Sequence, residues 1–65
     1  MKKEKFLKHF RTYNCYPTGD QKGSHAWFVN TDTGKKTVVP MHSEIKDLLT
    51  KKICKQLGIP PTGNN

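Results

Sequence analysis

Sixty-five residues make one small domain, and a chain this short buries only about 60% of the surface that its unfolded form exposes. Apolar residues are 32% of it, enough for a thin core beneath one face of a sheet. Twelve Lys and Arg against five Asp and Glu give a net charge of +7, which disfavours cationic partners and attracts polyanions by counterion release and long-range steering.

Arg11 is the sole arginine, and the other cations are lysines. Lysine is a point charge without the fork that arginine uses to read bases, so the surface suits backbone-directed binding of nucleic acid. Cys15 and Cys54 form no CxxC pair and are expected as reduced thiols in a cytoplasmic protein. Met1–Lys5 is charged, and no apolar run of signal or membrane-spanning length follows it. The expectation is a cytoplasmic chain with no membrane partner.

Along the chain, Phe6, Leu7, Phe10 and Tyr13 share one side of a helix over residues 3–13, with Lys5, Lys8 and Arg11 opposite. His9 lies at the apolar edge and is assigned packing or surface duty. Asn14 ends the helix. Cys15–Thr18 reads as a short strand, held to an edge by Pro17, which has no N–H for the ladder. Residues 19–23 read as a turn with a glycine at each end, and 24–30 as the best strand.

Asn30–Gly34 reads as a hairpin loop, with Gly34 at a position needing φ > 0. Lys35–Val39 returns as a strand that Pro40 stops. Ser43 is the expected N-cap of a second helix, with Glu44 in its first turn. Ile45, Leu48, Leu49, Ile53 and Leu57 make its expected stripe, in which Lys52 is a local conflict, and Gly58 closes it.

The order is α-β-β-β-α, an α+β single domain with a three-stranded antiparallel sheet and both helices on one face. Residues 1–59 form the domain, and 60–65 a polar tail expected to be disordered. Strand alternation puts Ala26 and Phe28 on one side, His25, Trp27 and Val29 on the other. Ala26 beside Phe28 suits packing under a helix, so His25 and Trp27 are expected to face outward.

Gln21-Lys22-Gly23-Ser24-His25 is the candidate site. Asp20, Asp32, Glu44 and Asp47 are scattered over turns and a helix start, and Cys15 and Cys54 lack ligand spacing, so no metal or cofactor is expected. Ser24 and His25 point to opposite faces of a strand, which disfavours acyl transfer. Metal-free RNA cleavage fits better, because RNA brings its own nucleophile, the 2′-OH. His25 would be the general acid or base, Lys22 an electrostatic stabiliser, and the Gly23 amide a phosphate donor beside Ser24. His42 is a candidate second acid/base, Trp27 a base-stacking surface, and Lys35 and Lys36 further backbone contacts. A non-catalytic RNA-binding module and a basic adaptor for an acidic protein are the alternatives.

Gln21-Lys22-Gly23-Ser24-His25, Phe28, Gly34, Val39-Pro40-x-His42 and Ile53-x-Lys55-Gln56-x-Gly58-Ile59 resemble the HicA-type toxins, also called YcfA-like, from residue 5 to about 59. That resemblance implies a fold similar to a double-stranded RNA-binding domain, an mRNA-cleaving toxin that needs no metal, and catalysis by the histidine matching His25. It also implies a HicB-type antitoxin that blocks the site: a monomer when free, a heteromeric complex when inhibited. Asp20 stands where many members carry a basic residue, and Ala26 where many carry a second histidine.

Overall fold

The apolar stripe of the first segment closes into α1 (Lys3–Thr12), with Phe6 and Phe10 fully buried and Lys5, Lys8 and Arg11 exposed. Asn14 ends it in the left-handed region, at φ 61°, a conformation that asparagine tolerates better than most residues. The structure, a computed structural model that describes residues 1–62, continues through β1 (Cys15–Lys22), β2 (His25–Asn30), β3 (Lys36–Pro40) and α2 (Asp47–Leu57). The strands form one antiparallel sheet in the order β1-β2-β3. The predicted α-β-β-β-α architecture is therefore the observed one. The expected tail begins at Pro60, and its last three residues lie outside the described ones.

Both helices cover the same face. Ala26 and Phe28 of β2 and Val39 of β3 meet Phe6 and Phe10 from α1 and Ile53, Cys54 and Leu57 from α2 in one core. The Phe10 ring lies 5.1 Å from Phe28, edge to face, and 4.5 Å from Phe6. Such aromatic pairs add about 0.5–1.5 kcal/mol beyond their area burial. His9 takes the packing role expected of it: Nε2 donates to the Pro60 carbonyl at 2.8 Å and the ring lies against Tyr13.

Asn30, though polar, is buried because the fold needs its amide. Its Nδ2 donates to the Leu57 carbonyl at 2.8 Å, and its Oδ1 accepts from the Asp32 amide at 2.9 Å. One side chain thus ties the β2–β3 hairpin to the end of α2 and satisfies a carbonyl that the helix leaves free. Gly34 and Gly58 adopt the expected left-handed conformations, at φ 80° and 71°.

The start of α2 corrects the sequence reading. Ser43 is not its N-cap; the helix begins at Asp47, with extended Lys46 in the cap position. Residues 43–45 instead pair with the N-terminus. The Lys3 amide donates to the Ser43 carbonyl at 3.0 Å, the Ile45 amide to the Met1 carbonyl at 2.8 Å, and Lys2 bridges Glu44. Ile45 therefore reaches the core from an extended segment and does not set the phase of the helix. The buried stripe of α2 is Thr50, Ile53, Cys54 and Leu57. Leu48 and Leu49 are turned out, Leu48 to 69% exposure, and Lys52 is exposed, so the predicted conflict at Lys52 does not arise.

These positions predict opposite outcomes for two apolar truncations on one helix. Ile53→Ala, at 2% exposure, should cost about 2–5 kcal/mol in urea unfolding. Leu48→Ala should stay within about 0.5 kcal/mol.

The Met1 ammonium donates to Glu44 Oε2 at 3.1 Å and to the Ile45 carbonyl at 2.9 Å, with Asp47 Oδ1 at 3.5 Å. The Glu44 hydrogen bond raises its pKa from the ordinary 8.0. Burial likewise pushes the free thiols of Cys15 and Cys54 above their ordinary 9.0. In each case the folded state holds a proton that the unfolded chain releases sooner. Their stabilising contribution is full below about pH 8 and is lost as pH rises through the higher folded values. Thermal melts should therefore show a falling midpoint above pH 8, and blocking the amine by acetylation should remove the earliest part of the fall.

Candidate active site on the open sheet face

A two-residue turn fixes the site. Lys22 pairs with His25, leaving Gly23 and Ser24 as the connection between β1 and β2. Gly23 has φ 59°, and Asn14 is the one non-glycine with positive φ among the described residues. This is the pattern of a type II′ hairpin turn, which takes glycine at its first central position. The expected turn over 19–23 is therefore shifted: β1 runs on to Lys22, and Gly19 falls in a bulge that breaks the ladder between Pro17 and Gln21. Pro17 ends regular pairing on this edge strand, and the bulge restores it before the turn.

β2 alternates as its sequence requires, with Ala26 and Phe28 buried and His25 and Trp27 exposed. Both lie on the face opposite the buried pair, as expected, and Trp27 also borders the groove that Leu49, Lys52 and Gln56 of α2 line. Pairing then generates three rows on the open face. Lys22, His25 and Pro40 form the first row, one residue from each strand. Trp27 and Val38 form the second, where the bulge leaves β1 unpaired. Tyr16, Val29 and Lys36 form the third. Successive rows lie about 7 Å apart, two residues along a strand.

Lys22 is thus the direct cross-strand neighbour of His25 and shares its face, with Gly23 and Ser24 at the adjoining turn. The Ser24 carbonyl accepts from the Met41 amide, which clips the His42 segment to the His25 end of the sheet. His42 is exposed there. Asp20 is engaged locally, its amide donating to Thr18 Oγ1 at 3.2 Å. Lys36 shares the face two rows from His25. Lys35 does not: its side chain lies over Gly58 at the C-terminus of α2, where a cation complements the helix dipole. Among the described residues, no group of three or more His, Cys, Asp or Glu comes together in a way that could hold a metal ion.

Tyr16 was missed by sequence reasoning, which gave Cys15–Thr18 no role beyond an edge strand. Its signal was an aromatic on the same parity as His25 once pairing is known, and pairing depends on the bulge. Leu49, expected in the core stripe of α2, instead lines an open groove of about 500 Å³ between β3 and α2, together with Trp27, Val38, Lys52 and Gln56.

The model of the HicA toxins of bacterial toxin–antitoxin systems matches residues 4–59. The chain belongs to the HicA toxin family. It is thus the toxin of a toxin–antitoxin pair, and an antitoxin is its partner. No curated protein and no solved structure matches the chain. No helix among the described residues is long and apolar enough to cross a membrane.

Because the Gly23 position faces open space, a Cβ there meets no neighbour and the penalty of Gly23→Ala is one of backbone conformation. Unfolding should show a loss of about 1–3 kcal/mol. Gly34→Ala, in the other hairpin at φ 80°, is the matched control for strain away from His25.

Proposed function

We propose that this HicA-family toxin is an endoribonuclease that cleaves mRNA without a metal, with His25 as its general acid or base. The observation that carries the reading is the juxtaposition of exposed His25 with Lys22 across the strand pair, at a tight turn on an uncovered face. The family membership supports a toxin, and the lysine-rich charge supports a polyanionic target.

The reaction asks little of the protein. His25 takes the proton of an RNA 2′-OH, the oxygen attacks the adjacent phosphorus, and the bond to the 5′-oxygen breaks. The leaving oxygen takes up a proton, and the cleaved strand ends in a cyclic phosphate. Lys22 and the Gly23 amide stabilise the crowded phosphate, a type of contact that gains strength as charge develops. His42, held at the same end of the sheet, is the candidate for the second proton transfer, and Ser24 and Lys36 are further candidate contacts to the RNA, whereas Lys35, drawn over Gly58, drops out of that set. The antitoxin is proposed to be of the HicB type and to cover this site in a heteromeric complex; the free toxin acts as a monomer in the cytoplasm.

Purified toxin should cleave a long single-stranded RNA in EDTA, whereas the His25→Ala variant should lose about 100-fold or more in rate while keeping its fold and its salt-sensitive RNA affinity. Intact RNA with the folded parent protein would leave an RNA-binding module of the same architecture.

A further inference from the structure

We infer that Tyr16 and Trp27 form a two-ring platform that stacks consecutive unpaired bases of an RNA strand and so delivers a phosphate to His25. The inference rests on the ribonuclease reading above and adds to it a second binding site and a requirement for unpaired substrate.

The register carries it. Tyr16 lies opposite Val29, and Trp27 is two residues from Val29 on the same face. The two aromatics are therefore diagonal neighbours across adjacent strands, about 7–8 Å apart. Trp27 is in turn one row from His25. Tyr16, Trp27 and His25 thus follow one another across the open face in steps of similar length.

Both rings are available, Tyr16 at 42% and Trp27 at 44% exposure. Half-buried Val29 and Val38 fill the space beside them and make a continuous apolar strip. The rows at the two ends of the strip carry Lys36 and Lys22, and no Asp or Glu occupies any of the paired positions on this face. An apolar strip ending in cations at both ends fits a strand whose bases lie on the sheet and whose phosphates reach the lysines. Stacking on aromatic side chains is tolerant of sequence, because every base has a π-face. A duplex keeps its bases stacked on one another and cannot offer them to the sheet.

Trp27 is the only tryptophan, so its emission reports the platform directly. The probe is an unpaired 2′-O-methyl RNA oligonucleotide, which lacks the nucleophile and is not cut, compared with the same strand in a duplex. The single strand should quench Trp27 emission, and the duplex should not. Tyr16→Ala should weaken single-strand binding about 5- to 100-fold. Tyr16→Phe should restore it, since the ring is kept. On cleavable RNA, Tyr16→Ala should raise KM and leave kcat near that of the parent.

Full single-strand affinity with unchanged Trp27 emission and no effect of Tyr16→Ala would overturn the platform. Persistent cleavage would then leave the nuclease reading intact and make the aromatic strip a surface for docking protein. If neither oligonucleotide binds and no RNA is cut, the platform and the nuclease reading fall together.

Discussion

Everything in this molecule depends on how little apolar material it has. Phe6, Phe10, Phe28, Ile53 and Leu57 pack one core between two helices and one side of the sheet, and few large apolar side chains remain to cover the other side. The open face is therefore a consequence of composition. Alternation along β2 then decides what appears on it. Burying Ala26 and Phe28 requires that His25 and Trp27 point away, and a slip by one residue would exchange the two sets. The aromatic core and the exposure of the proposed catalytic histidine are one constraint seen from two sides.

Position along the strand is fixed by a different device. His25 is the first residue of β2, and the turn before it has only two residues, so its place depends on Gly23 and on the Lys22 pairing. The Met41 amide on the Ser24 carbonyl holds the same corner from β3. At the opposite end, Asn30 fastens the second hairpin to α2. A small sheet with both ends of its central strand tied can hold a side chain steady without a thick core beneath it.

Local chemistry made much of this readable. Phe6 and Phe10 at helical spacing, Gly34 in its loop, Gly58 after the last helix and the Ala26/Phe28 alternation each carry their meaning within a few residues. The failures share a cause, which is pairing between distant segments. Ser43 has every attribute of an N-cap, but its carbonyl is taken by the Lys3 amide, and the extended 43–45 segment postpones the helix. Leu48 and Leu49 fall in a helical stripe only if Ile45 sets its phase, and Ile45 lies outside the helix. Tyr16 was overlooked for the same reason. Its relation to His25 exists only through the register of β1 on β2, with a bulge between Pro17 and Gln21 that sequence spacing does not announce.

The exposed site bears on how such a toxin is controlled. His25 and Trp27 are open to solvent in the toxin chain by itself, and the segments flanking the site are held in place, β1 by its pairing to β2 and the 41–45 connection by its bonds to Ser24 and the N-terminus. Restraint of an activity on that face falls most naturally to the partner that the family membership supplies. The antitoxin proposed to cover the Lys22–His25 row would have the aromatic strip and Lys36 as its nearest neighbours on the same face. Those are the features by which RNA is proposed to bind. Competition for one surface then needs no conformational change in the toxin, only an antitoxin whose apolar and acidic groups match a face that the core was too small to cover.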